Sequence, residues 1–228
     1  MRGVTRSLEL NWPVTSAPYP YGCDLGRRLA LGARVTRLIV MDEELRSLAQ
    51  RLRAESGGTE AYERLLVTGD HEELAAVLTA PERPLWARET AAFRLGCAGD
   101  PRAFESLVLL LNHRDPERCV SAAHALYELA DPRTARAAAA LATNELRVAY
   151  ALVPVRLLTR LRAPESVPTL TTVLRRRLTP GDPYGRVALA CVEGLGALGD
   201  RRAVDVLTLA RTHTRLMAAA EAALARIG

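Results

Sequence analysis

Four histidines and four cysteines are the residues of this chain that could ligate a metal or act as nucleophile and base. No two cysteines have the C-x-x-C spacing of a zinc or thioredoxin-like site. The sequence also lacks a glycine-rich phosphate loop, an H-E-x-x-H pair and a G-x-S-x-G nucleophile turn. We therefore predict no catalytic residue, no bound metal and no cofactor.

Three of the four histidines have a structural interpretation. His71 precedes an acid and is expected to form a capping and surface pair with it. His113 lies in a loop, where it could act as a general base, but no serine or cysteine is placed beside it by spacing. His124 follows Ser121 and precedes Glu128 at helical spacing, which predicts a solvent-facing polar stripe. Apolar neighbours predict small buried thiols in a reducing cytoplasm for three of the cysteines: Cys97, Cys119 and Cys191.

A helix–turn–helix unit carries these residues and recurs along the chain. Residues 86–111 place apolar side chains at the i, i+3, i+4, i+7 spacing of amphipathic helices on both sides of a turn. Within that turn, Gly99 is expected to end the first helix, Asp100 to cap the second and Pro101 to take its first position. Equivalent turns fall at positions 70, 100, 131, 163 and 200. Spacings in the low thirties indicate a solenoid of helix pairs.

The columns of this repeat predict the buried core. A leucine stands five residues before every turn position: Leu65, Leu95, Leu126, Leu158 and Leu195. Apolar residues also stand four and seven residues after it, on one helical face. A single pair cannot bury that face, so neighbouring pairs must stack.

The repeat fixes the expected order of elements. We predict five pairs at about 59–80, 85–112, 116–143, 147–176 and 184–210. A capping helix over 41–56, with Leu45, Leu48 and Leu52 on one stripe, and a closing helix over 213–227 complete the array. Pro154 is expected to kink the outer helix of the fourth pair.

The turn residues resemble those of HEAT repeats, above all the short bacterial kind named for phycobilisome lyases. The likeness rests on Ala91-Ala92 with Leu95 and Gly99-Asp100, and on the run from Leu195 to Asp200 that matches the ending A-x-x-L-G-x-L-G-D. It covers residues 57–228, although Ala130 and Arg162 replace the turn glycine. The resemblance implies an all-α, right-handed α-α superhelix in which the second helices line a concave wall. It implies a binding scaffold and no reaction.

Residues 1–40 differ from the rest of the chain. They hold six arginines against Glu9 and Asp24, whereas the remaining residues carry only about +1 of the net charge of +5. The stretch 11–22 is rich in proline and is typical of a loop or a disordered extension. We therefore expect a repeat domain over 41–228, with Met41 as the initiator and 1–40 as an upstream extension. No apolar run approaches the length of a membrane span, so we predict no membrane contact and a cytoplasmic protein.

The predicted partner-binding residues lie two and five positions after the turns, beside the buried stripe of the second helices. They are Arg102, Glu105, Arg133, Arg136, Arg202 and Asp205. Arginine is frequent in interface hot spots, and mixed charge suits a protein surface better than a phosphate backbone. A solvated face with Arg–Glu pairs between repeats explains the same residues.

The sequence thus favours a non-catalytic scaffold that binds another protein through its concave helix face. One alternative is an enzyme related to phycobilin lyases through its repeats, although a repeat by itself does not carry a chemistry. A second alternative is a nucleic-acid binder, which the near-neutral repeat region does not favour.

Overall fold

The computed structural model describes residues 43–228, with side chains from residue 50 onward. The chain divides into two units, Met1–Val40 and Met41–Gly228, and the described residues belong to the second. The predictions for residues 1–40, for Met41 and for the Leu45 and Leu48 side chains lie outside what the structure describes. Residues 43–228 form helices and turns, with no strand among them.

The helices follow the predicted pairs. They are α1 (Glu43–Ser56), α2 (Glu60–Val67), α3 (His71–Thr79), α4 (Leu85–Cys97), α5 (Phe104–Leu111), α6 (Pro116–Leu129), α7 (Arg133–Ala142), α8 (Leu152–Leu161), α9 (Ser166–Arg177), α10 (Gly185–Leu198), α11 (Val204–Ala210) and α12 (Met217–Ile227). Short 3-10 segments precede α5, α8 and α11, at Pro101–Ala103, Glu145–Tyr150 and Arg201–Ala203. The pairs α2–α3, α4–α5, α6–α7, α8–α9 and α10–α11 are the five repeats.

The turns inside the pairs form as the sequence predicts. The Asp100 carboxylate caps the following 3-10 turn by accepting from the backbone N–H of Arg102, with Pro101 in the first turn. Gly99 has a φ of 79°, in the left-handed region that a residue without Cβ adopts at little cost. Ala130 and Arg162 take the same conformation, with φ of 53° and 52°, at the turns that lack glycine.

The core lies between the helices of successive pairs. Each second helix packs on the first helix of the next pair, and the first helices from α2 to α10, then α12, also contact one another in order. The five leucines before the turns are all buried. In the columns that follow the turns most side chains are buried as well, whereas Val77 and Val204 are half-buried against the core.

The first helix departs from the predicted arrangement. Helix α1 was expected to cap the end of the array, but it packs on α4 and α6, the first helices of the second and third pairs. Leu52 of α1 is 1% exposed there. An ionic network described below joins α1 to these two helices, and no local pattern in the sequence encodes it.

The fourth pair shows a second difference. Pro154 does not kink the interior of a helix, because the α-helical part of this segment begins only at Leu152. Pro154 therefore lies in the first turn of α8, where a missing backbone donor removes no intrahelical hydrogen bond. The preceding residues form the 3-10 turn Glu145–Tyr150, in which Arg147 has a non-helical φ of −134°.

Candidate protein-binding face

The six residues predicted to bind a partner all lie at the N-terminal ends of second helices. Arg102 and Arg202 are in the 3-10 turns that lead into α5 and α11, and Arg133 is the first residue of α7. Glu105, Arg136 and Asp205 follow one helical turn later, and all six side chains are exposed. Together with the residues nine positions after each turn, they form what we call the second-helix face.

Each of the three arginines is bound by the aspartate two residues before it. In the second repeat the Nε and Nη2 atoms of Arg102 donate to the two carboxylate oxygens of Asp100 at 3.0 and 2.7 Å. The hydrogen bond from the Arg102 side chain lowers the pKa of Asp100 to about 2, although the burial of this carboxyl acts in the opposite direction. Asp100 also lies 3.4 Å from Nδ1 of His71. The His71 side chain is exposed at the surface as predicted, but it contacts Asp100, whereas Glu72, its predicted partner, binds Arg102.

We call this two-bond contact between an aspartate and the arginine two residues later a fork. The same fork recurs in the third and fifth repeats. Arg133 and Arg202 each donate through Nε and Nη2 to the preceding aspartate, Asp131 or Asp200, at 2.7 to 3.3 Å. The side-chain hydrogen bond lowers the pKa of both carboxyls. The motif Asp-x-Arg therefore holds each guanidinium in one orientation and largely offsets its charge.

Two of these arginines also join neighbouring repeats. Arg102 donates from Nη1 to Glu72 of the first repeat at 2.9 Å, and Arg133 donates from Nη1 to Glu105 of the second at 3.2 Å. The Arg133 guanidinium also lies 3.9 Å from the centre of the Phe104 ring. Arg102 and Arg133 therefore have a structural role between repeats. Arg202, bound to Asp200, is the most exposed of the three forks, at 70%.

Apolar side chains are exposed on the same helical stripe. Leu109 is 73% exposed and Leu209 is 49% exposed, each seven residues after the forked arginine of its own repeat. Ala140 holds the corresponding position in the third repeat and is also exposed. The second-helix face thus combines fixed, compensated charge at its N-terminal edge with apolar surface further along the helices.

A buried ionic network lies on the other layer, among the first helices. Glu89 of α4 is 2% exposed and binds both Arg51 of α1 and Arg118 of α6. Arg118 also binds Glu55 of α1. Burial raises the pKa of Glu89 to about 6, although the guanidiniums of Arg51 and Arg118 act in the opposite direction.

Sequence reasoning missed this network. The one local signal is an acid, Glu89, directly before the small buried residues Thr90, Ala91 and Ala92. Its partners lie 38 residues before it and 29 residues after it in the chain, so no helical spacing links them.

Histidine placement corrects one prediction and refines another. His124 does not lie on a solvent-facing stripe: it is 7% exposed, stacks on Phe93 with ring centroids 5.9 Å apart, and has the buried Ser121 one turn earlier. His113 accepts at Nδ1 from the backbone N–H of Asp115 at 3.0 Å. Burial, and then the charge of Arg118, lowers the pKa of His113.

Burial favours the neutral form of two of the described cysteine thiols, those of Cys119 and Cys191. Burial raises the pKa of Cys119 to about 11 and that of Cys191 to about 12, while Cys97 is only half-buried at the end of α4. Protonated thiols are poor nucleophiles. Over residues 43–228 no group of three or more His, Cys, Asp or Glu side chains is placed to hold a metal ion. None of the helices in that range is both long and apolar enough to cross a membrane.

Comparison with known proteins adds no assignment. The chain matches no model of a known protein family, and no curated protein matches it.

Proposed function

We propose that this protein is a non-catalytic, HEAT-like α-solenoid that binds another protein through its second-helix face. The observation that carries the proposal is the exposure of Leu109 and Leu209 beside Glu105 and Asp205 on equivalent stripes of α5 and α11. An exposed apolar side chain beside a charged one, repeated on separate second helices, offers a protein partner several points of apolar contact with charge beside each. In this proposal the repeats form a right-handed superhelix in the cytoplasm, with the second helices along its concave wall.

The forks support binding by reducing its entropic cost. Arg102, Arg133 and Arg202 already have fixed guanidinium orientations, so a partner that contacts them does not have to immobilise flexible side chains. The aspartates Asp100, Asp131 and Asp200 offset the charge of these arginines, which leaves the forks little net positive charge to attract a phosphate backbone. The face therefore favours a protein partner over a nucleic acid.

The test uses the full chain, immobilised and exposed to an extract of the native host. The informative variant is Leu109→Ser with Arg136→Glu, because both side chains are exposed and neither makes a fork. Reversal of Arg102 or Arg133 is less suitable, since it would place an acid beside an aspartate and a glutamate and weaken the contact between repeats. The matched control is Met217→Ser with Arg226→Glu on α12, which removes one exposed apolar side chain and reverses one exposed arginine away from the face.

We expect one protein to bind the parent and the control, and to bind the face variant at least about tenfold more weakly when its affinity is measured with purified components. Equal recovery by both variants would contradict the assignment of the face. Recovery of a bound small molecule or metal in place of a protein would favour the enzyme alternative.

A further inference from the structure

The 3-10 turn between α7 and α8 places apolar side chains in solvent. Leu146 is 95% exposed and Tyr150 is 37% exposed. The turn is locally fixed, because the Asn144 carboxamide oxygen accepts from the backbone N–H of Leu146 at 3.0 Å. In the fourth repeat, a six-residue 3-10 turn replaces the start of the first helix, which is not seen in the other repeats within residues 43–228. Leu146 is therefore held in an outward position.

Arginines from the end of α9 hold this turn. Arg176 donates from Nη1 to Glu145 at 2.8 Å and to the carbonyl oxygen of Thr143 at 3.2 Å. Arg177 donates to the other oxygen of Glu145 at 3.0 Å and to Asp182 at 3.1 Å. These bonds join the C-terminal ends of α7 and α9, the ends opposite to the forks of the second-helix face.

The resulting surface, which we call the Leu146 patch, has an excess of positive charge. It consists of Leu146, Arg147, Tyr150 and Arg176, together with the exposed Arg175 that precedes Arg176 in α9. The carboxylates at this place, Glu145 and Asp182, are fewer than the arginines around them. Cations at the end of α9 also offset its helix dipole, which accounts for Arg175 and Arg176 but not for an aliphatic side chain in solvent beside them.

We propose that the Leu146 patch is a second interaction site, which binds an acidic segment of another protein that carries an apolar side chain among its carboxylates. The carboxylates would pair with Arg175 and Arg176, and the apolar side chain would cover Leu146. This site is separate from the second-helix face and does not depend on it.

The geometry favours a peptide over a nucleic acid. The Arg147 guanidinium lies 4.5 Å from the centre of the Tyr150 ring and covers one of its faces, so that face is closed to a stacking base. Leu146 adds to this preference, because an apolar side chain of a peptide can cover it, whereas a phosphate chain has no apolar group to place there.

The test measures fluorescence anisotropy of a short fluorescein-labelled peptide of aspartate and glutamate with two central leucines, added to the full-length protein at physiological salt. Leu146→Ser changes only an exposed side chain and is expected to weaken binding about fivefold. Arg175→Glu with Arg176→Glu is expected to weaken it about tenfold. The control, Arg215→Glu with Arg226→Glu, makes the same change of charge at exposed arginines outside both proposed sites and is expected to bind like the parent.

One control peptide and two competitors test which chemical class of ligand the Leu146 patch binds. The same peptide with serine in place of the leucines should bind several-fold more weakly. Single-stranded DNA of equal charge and vesicles containing phosphatidylserine should not displace the peptide. The proposal is overturned if the peptide does not bind, if Leu146→Ser binds like the parent, or if DNA or vesicles compete as well as the peptide does.

Discussion

At the scale of single residues, the surroundings of the Asp-x-Arg motif should decide how much it contributes to stability. Asp100 and Asp200 each cap a 3-10 turn and bind the arginine two residues later. The Asp100 side chain is 8% exposed and also contacts His71, whereas the Asp200 side chain is 28% exposed. Desolvation makes a lost partner more costly, so these two similar turns should differ in their contribution to stability.

Asp100→Ala is predicted to lower the free energy of unfolding by about 2 kcal/mol near pH 7, since it removes a cap and leaves Arg102 without its fork. Asp200→Ala should lower it less. The Asp100 pKa is depressed to about 2 in the folded protein, so its stabilising effect is present above the usual pKa of an aspartate and is lost as the pH falls towards 2. Denaturant titration of both variants between pH 7 and pH 2 checks this, and equal losses at pH 7 would contradict it.

At the scale of elements, the turns inside the repeats differ in how well their residues fit the backbone. Ala130 and Arg162 adopt the left-handed conformation that glycine adopts elsewhere. Such a conformation costs an L-residue about 1 kcal/mol or more. Arg162 offsets this cost through bonds from its guanidinium to the carbonyl oxygens of Ala197 and Leu198, at 3.0 and 3.4 Å.

Ala130→Gly is predicted to raise the free energy of unfolding by about 0.5–1 kcal/mol, because it relieves the left-handed strain without removing a side-chain bond. Arg162→Gly should gain less or lose stability, since it also removes the contacts with the end of α10. Thermal unfolding of the two variants provides the comparison. A larger gain at residue 162 than at 130 would show that these contacts do not stabilise the turn.

Close packing between α10 and α12 gives a second prediction at this scale. A Cβ added at Gly196 would lie 2.7 Å from the Cβ and 2.8 Å from the Cα of Ala223. Relief of this clash requires the backbone of α12 to shift, which costs more free energy than the rotation of a flexible side chain. Gly196→Ala is therefore predicted to cost about 1–3 kcal/mol and to increase hydrogen exchange in α12. Gly185→Ala is the control, since its Cβ would meet nothing within 4 Å. Unchanged exchange in α12 would contradict the proposed steric cause.

At the scale of the whole described unit, α1 is attached at a distance from its place in the sequence. Through Glu89 and Arg118 it joins the second and third repeats, and both side chains are buried in the contact. Removal of one member of a buried ion pair leaves the others desolvated and uncompensated. The position of α1 should therefore depend on Glu89 more than on any single exposed charge.

Glu89→Ala is predicted to release α1, with a loss of about 3 kcal/mol in the free energy of unfolding. The measurement is hydrogen exchange of residues 50–56, which should lose protection while α8 to α12 keep theirs. Glu117→Ala is the matched control, because Glu117 is half-exposed and lies 3.7 Å from Arg51. Retained protection of α1 in Glu89→Ala would mean that apolar contacts such as that of Leu52 suffice to hold it.

The pH dependence of the same network has the opposite sign to that of Asp100. The pKa of Glu89 is raised to about 6 in the folded protein, so the folded form binds a proton more tightly than the unfolded form does. The contribution of this group to stability is therefore greatest below its usual pKa and is lost as the pH rises through 6. The free energy of unfolding of the parent, relative to that of Glu89→Gln, should therefore fall as the pH rises through 6. Denaturant titration of both proteins across this range checks it.

The sequence by itself determined the helices, the turns between them and the buried leucine before each turn. These features follow from side chains within one or two helical turns of each other, where periodicity and capping act directly. The period of the repeat also located the second helices and the residues at their exposed N-terminal ends. The bounds of α2 to α11 accordingly lie close to the predicted pairs.

Only the tertiary structure decided where α1 packs, how Glu89 is paired, why His124 is buried and which arginines join the repeats. Each of these depends on residues tens of positions apart, such as Arg118 and Glu55, 63 residues apart, or Arg102 and Glu72, 30 residues apart. Helical spacing shows which side of a helix is apolar, but it does not show which other helix covers that side. The burial of a polar residue and the identity of its partner therefore follow from packing between helices, which local patterns do not encode.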